Sequence, residues 1–292
     1  MLVTQDRGVT LIELMIALVI SAILVGGTYS IFISQQRSYN LQDQIVGTQQ
    51  DARAALTIMT KDIRMAGFLI EPEGFNVYGR TDVITPNNSG TGTDSITVVL
   101  AAEEFTAGGN PVTVSLVNGQ VVTLSAPLNG FFNTGNERFV AFEGKDLVYQ
   151  VTGTSTDTLT LNFAPSANLA SFQARVFRVK AITYSVSGTI LQRGDGVTSQ
   201  TLAGGGSQSQ VEDLQIAYQV EGDTANWYNT PPAGKTNADI RAVRINLLER
   251  TPMQDSDDQS YQRPALEDRA GSNTRDGFRR RLYTTVVKVR NL

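Results

Sequence analysis

The sequence predicts an α+β protein: one long N-terminal helical stem followed by a β-rich, mostly antiparallel C-terminal globular head. Three observations carry that expectation. Leu14 to Ile33 is an apolar run without a charge. Helical spacing of apolar residues then continues to Ala66. From Ser95 onward, short alternating segments recur between turns rich in Gly, Asn and Ser.

The stem comes first. Arg7-Gly8-Val9 precedes the apolar run, and a single carboxylate, Glu13, sits near its start. A charge at the centre of a membrane helix costs roughly 2.5 to 3.5 kcal/mol, so Glu13 asks for a partner. Residues 9–33 are long enough to cross a bilayer core of about 30 Å. Beyond them Leu41, Ile45, Ala52, Leu56, Met59, Ile63 and Ala66 recur at spacings of three, four or seven. That is an amphipathic stripe over residues 34–67, with Arg37, Asp43, Asp51, Arg53, Lys61, Asp62 and Arg64 on other faces. Gly67 is the expected stop, and Gly26-Gly27 and Gly47 are the expected weak points.

The head spans residues 68–292, with room for two subdomains, 68–170 and 171–292. Glu71 to Asp94 reads as linker and turns. Strands are expected at Ser95–Ala101, Arg138–Phe142, Asp146–Val151 and Thr158–Phe163. Val112 to Leu124 reads as a hairpin closed by a type I′ turn at Asn118-Gly119, and Ala174 to Arg193 as a second one turning at Ser187-Gly188. Gly204-Gly205-Gly206-Ser207 reads as a flexible connection. Three closing strands follow, Leu214–Val220, Ile240–Leu248 and Leu282–Val289. The polar stretch from Thr251 to Gly277 offers little to bury and reads as a mobile surface excursion.

Composition narrows the chemistry. The 292 residues contain no His and no Cys, and the net charge is −4 with a pI near 5.0. The usual general base, thiolate catalysis and disulfides are thereby excluded, and the acidic balance argues against nucleic acid as a partner. No phosphate-binding loop is present, so no cofactor is expected. Asp255, Asp257 and Asp258, or Asp195 between two glycines, could offer oxygens to Ca²⁺, but none forms an ordered ligand loop, so no metal is expected. Trp227 beside Tyr228 is expected to plug the edge of the core. Arg279 to Arg281 and Arg290 are expected as solvated charges at a strand end, with pairing to a neighbouring subunit's carboxylates as the alternative.

The N-terminus resembles that of type IV prepilins: a short charged leader, a Gly, then an apolar helix with a Glu five residues after it. Gly8, Val9 and Glu13 meet the pattern, with Val9 where the family most often has Phe or Met. The segments Val211–Tyr218, Arg241–Leu248 and Arg280–Asn291, with Asp51–Phe68, resemble the minor pilins of the PilW group. The resemblance implies a type IV pilin-like fold and removal of leader 1–8 by a prepilin peptidase between Gly8 and Val9, with N-methylation of Val9. It also implies a non-enzymatic minor pilin of a type IV pilus. Its expected partners are other minor pilins, the major pilin, inner-membrane lipid and a tip adhesin. Its expected place is the inner membrane, head in the periplasm, then the pilus tip. A free amine at Val9 would be a cation at the edge of the hydrocarbon, and Glu13 the anion to match it in subunit register, most simply across two subunits. Two alternatives stay open: a J-type minor pseudopilin of a type II secretion system, and a signal-anchored periplasmic adhesion or binding module.

Overall fold

A computed structural model describes residues 9–71, 74–132, 138–207, 209–255 and 258–291. Helix α1 runs Leu11–Met65, 55 residues, or about 82 Å at roughly 1.5 Å per residue. It passes through Gly26-Gly27 and Gly47 without interruption. Gly67 follows at φ +76, where an added Cβ would crowd the Asn291 carbonyl oxygen at 2.9 Å, and its N–H donates to Val99 O at 2.9 Å. The helix thus stops at a residue that only glycine fills without strain.

The first part of the head contains β1 Ile84–Asn87, β2 Ser95–Glu104, β3 Thr106–Ala107, β4 Asn110–Pro111, β5 Val114–Asn118, β6 Val121–Leu124, β7 Phe139–Phe142, β8 Lys145–Thr154 and β9 Thr158–Leu161. A one-turn helix α2 Asn168–Ser171 precedes β10 Val176–Ser187, β11 Ile190–Gly194 and β12 Ser199–Gly204. The main path of this sheet is β1-β2-β10-β7-β8-β9-β6-β5, with β11 and β12 added beside β10. A second sheet, ordered β14-β13-β15-β18, uses β13 Gln210–Val220, β14 Asp223–Tyr228, β15 Ile240–Arg250 and β18 Arg280–Lys288. The short pair β16 Tyr261–Gln262 and β17 Arg275–Asp276 lies between the last two. Among the described residues every strand pairing is antiparallel.

Two apolar cores result. Ala52, Ala55, Met59 and Ile63 of α1 pack with β2, β10, β13 and β15 in the first. Val114, Val122, Leu159 and Leu169 form the second with inward residues of β7 and β8. Strand alternation divides them: Val140, Phe142 and Tyr149 face the second core, while Ala141 and Val148 pack with the first. Strand β2 is buried without a break from Ile96 to Ala101 because both its faces are covered.

The structure corrects several local expectations. Residues 71–94 hold β1, a four-residue strand that contains Pro86 and pairs with β2. Both hairpins close one residue later than expected, through Gly119-Gln120 and Gly188-Thr189, with positive φ only at the glycine. That is the II′ pattern rather than I′. Gly204 is not slack connection: at φ +79, its Cβ would collide with the Thr189 carbonyl oxygen.

Residues 251–277 are not a loose excursion either. Arg263 and Arg269 flank the fully buried Asp213 at 3.3 and 2.7 Å, and Glu267 takes both Arg244 (2.9 and 2.7 Å) and Asn246 (2.5 Å). Charge pairing against the second sheet, not apolar burial, docks this segment.

Candidate assembly site

The N-terminal end of α1 is closed by a capping box. Glu13 N–H donates to Thr10 Oγ1 at 3.3 Å, and Thr10 N–H donates back to Glu13 Oε2 at 3.4 Å. Thr10 is extended, so its hydroxyl oxygen reaches the amide of Glu13, the third residue of the helix, and Glu13 sits where the helix dipole favours an anion. Glu13 and Val9 are both exposed, Val9 at 72%. Gly8 lies outside the described residues. The cap thus engages the Glu13 carboxylate only through long bonds from neutral donors, at 3.4 Å.

Among the described residues nothing covers the span that follows. Every large apolar side chain from Leu11 to Phe32 is 53–79% exposed. Thr28 donates its hydroxyl to the carbonyls of Leu24 (2.8 Å) and Val25 (3.0 Å), which removes a polar group from that surface. The helix is long and apolar enough here to cross a membrane. A surface of this size needs lipid or other helices around it.

From Gln44 onward the helix buries one face on the head. Asp62, which the sequence places off the apolar stripe, is buried; its Oδ2 accepts from Tyr184 Oη at 2.6 Å and Arg193 Nε at 2.8 Å. Tyr184 and Arg193 face each other across β10 and β11, so one carboxylate ties the stem to a strand pair. Burial and the Asp62 charge push the Tyr184 phenol up, which keeps it a donor. Further along, Ser209 Oγ donates to Asp51 Oδ2 at 2.5 Å, and Asn291 Nδ2 to Ala66 O at 3.2 Å. The neck is thereby pinned along its length by polar contacts flanking the apolar seam.

One buried group in this seam has no counterpart in the sequence reading. Glu249, near the end of β15, is fully buried and neither carboxylate oxygen has a hydrogen-bond partner. Burial, with the Asp51 charge adding to it, raises its pKa to about 8, so it sits in the seam as a neutral acid at pH 7. Its position beside Arg250 at a strand end looks like a solvated charge in the sequence.

The other candidates fall elsewhere. Asp195 closes a tight turn: its burial opposes charge, but the amides of Thr198 and Val197 and the Lys180 ammonium hold its carboxyl well below the usual range. Asp255 pairs with Arg279 at 2.7 Å, Asp258 accepts from Ser260, and Asp257 lies outside the described residues. Among the described residues no three acidic side chains gather where a metal could be held. Trp227 is half-buried on β14 with the Arg244 guanidinium 4.5 Å over its ring. The terminal arginines divide: Arg281 and Arg290 are exposed, as the solvated reading expects, whereas the Arg280 side chain is 7% exposed and bonded to Glu212 and Asp276 at 2.6 Å, and Arg279 holds Asp255, both within one chain.

Comparison with known families agrees with an exposed, capped stem on a β-rich head. Residues 173–291 match the family described as Type IV Pilus-assembly protein W, and residues 4–29 match the prokaryotic N-terminal methylation motif. The chain carries a PilW-type domain behind a prepilin-type N-terminus. The pilin families it matches are structural subunits, anchored in a membrane by the N-terminal helix. A solved type IV-like pilin from Thermus thermophilus is similar over 84% of this chain and 97% of its own, at 16% identity and a TM-score of 0.40. No curated protein matches the chain.

Proposed function

We propose that this pilin is a priming subunit: a membrane-anchored minor pilin that joins others of its kind to start a pilus and stays at the tip. The observation that carries the reading is the fully exposed apolar span of α1 with an anion, Glu13, at its first turn. Cleavage between Gly8 and Val9 by a prepilin peptidase, with methylation of the new amine, places a cation one residue before the cap. Paired with Glu13 of a neighbouring stem, that amine offsets part of the desolvation of both groups and fixes the axial register. The head then faces the periplasm, its polar docked segment and two cores outside the membrane.

Head size supports the tip. The head, from residue 68 to the C-terminus, is bulky for a closely wound helical array, and a terminal place avoids that crowding.

Deletion of the gene tests the reading. Loss of surface pili with normal exoprotein secretion is the expected result. Normal piliation with lost secretion would replace it by a J-type pseudopilin of a type II secretion system. Failure of the protein to cross-link to any pilin would replace it by a signal-anchored periplasmic binding module.

A further inference from the structure

A cavity of about 410 Å³ opens on the head between a tight turn at residues 77–80 and strands β7 and β8. Its volume lies within the roughly 300 to 1,000 Å³ common to small-ligand sites. Tyr78 and Phe139 form one wall, edge to face with centroids 4.8 Å apart. Phe163 forms another: its ring centroid lies 4.6 Å from that of Tyr149, and the residue remains 40% exposed.

The turn holds Tyr78 there against its backbone preference. Val77 and Arg80 exchange both amide bonds at 2.9 Å, while Tyr78 has φ +52 and Gly79 φ +78, a type I′ turn. The first central position of such a turn suits Asn, Asp or Gly, not an aromatic residue. A bulky ring kept in a left-handed conformation at the mouth of a cavity marks a place where the ring's position matters.

The polar lining is neutral and amide-rich. Asn76 uses its Oδ1 on the Gly79 amide (2.8 Å), and Asn162 uses its Oδ1 on the Gln150 amide (2.9 Å). The NH₂ groups of both, and the whole side-chain amide of Gln150, have no such engagement among the described residues. Glu71 is the one charged side chain among the described lining residues, which disfavours an anionic ligand. An extended peptide has no edge to join here, since β8 is hydrogen-bonded to β7 on one side and β9 on the other.

We propose that this cavity binds a neutral pyranose ring, its C–H face on Phe163 and the Tyr78–Phe139 wall, its hydroxyls on Asn76, Gln150 and Asn162. Aromatic faces carry negative charge density that attracts polarised C–H groups, and amides both donate to and accept from vicinal hydroxyls. The site gives the head a ligand of its own, independent of the stem.

The test is saturation-transfer NMR on the full chain in a detergent without a sugar headgroup. The probes are methyl glucoside, methyl galactoside, methyl mannoside and N-acetylglucosamine, with glucuronate as the anionic counterpart. Transfer to ring protons of at least one neutral pyranose is expected. Affinity for it should fall about tenfold in Phe163→Ala, as loss of an aromatic contact implies. It should be unchanged in Phe172→Ala, an exposed Phe (50%) outside the cavity. Gln150→Ala, at an exposed position, should weaken it too and serves as the variant should Phe163→Ala lose its circular dichroism. Transfer from no neutral pyranose, unchanged affinity in the cavity variants, or preference for glucuronate would overturn the proposal.

Discussion

Replacing Glu249 by Gln should make this protein more stable at neutral pH. The side chain is fully buried, with no donor to either oxygen, and its pKa stands at about 8 against an ordinary 4.5. Below pH 4.5 the carboxyl is protonated whether the chain is folded or not, and it contributes no pH dependence. Between 4.5 and 8 the unfolded chain ionises while the folded one keeps its proton. The unfolded state then binds fewer protons, so stability falls as pH rises, by about 1.36 kcal/mol per pH unit. Accumulated to pH 7, the penalty is about 3 kcal/mol. Glutamine has nearly the same shape and no charge to form, so the variant should lose this slope and gain up to that amount. Urea unfolding of wild type and Glu249→Gln at several pH values between 4 and 9 measures it. The two curves should converge near pH 4 and separate steadily to pH 8. Parallel curves, or a wild type that gains on the variant as pH rises, would refute a neutral buried acid at this position.

Other perturbations have equally definite outcomes. Asp62→Ala leaves Tyr184 and Arg193 without their shared acceptor. It should cost about 2 to 3 kcal/mol in urea unfolding, below the 3 to 5 of a fully buried pair because the Arg193 side chain is 24% exposed. Gly204→Ala places a Cβ on the Thr189 carbonyl at φ +79 and should cost on the order of 3 kcal/mol in the same assay, whereas Gly222→Ala, with open space around it, should cost less. Thr10→Ala removes the cap oxygen and should cost about 1 kcal/mol locally, read as faster amide exchange over the first turn of α1 with the head unaffected.

Much of the fold is legible in the sequence because apolar period reports burial. The stripe through Ala52, Met59 and Ile63 faces the core as the 3.6-residue spacing says, and α1 ends beside Gly67. Strands such as β13 and β15 stand out for the same reason, being apolar over long stretches. What the sequence hides is pairing between charges distant in the chain. Asp62, Glu249, Arg280 and the Arg263–Asp213–Arg269 group all look like solvated charges until β11, β12 and residues 251–277 come to lie against the stem and the second sheet. Strand β1 was hidden by its Pro86, and the hairpin type depended on which side of the glycine the strand pairing ended. Of the candidate assembly site, the exposed apolar span is legible in the order of the residues. The capping box has its sequence signature in Thr10 three residues before Glu13, and the apolar run that follows masks it.

The role of Glu13 in subunit register is tested most directly by co-isolation of wild type and Glu13→Ala with other pilins after cross-linking in intact membranes. Both proteins should insert equally, since removing the carboxylate only makes the span more apolar. Wild type should bring its pilin partners with it and Glu13→Ala should lose most of them. A Glu13→Ala protein that recovers those partners as well as wild type would contradict the pairing of Glu13 with a neighbouring Val9 amine.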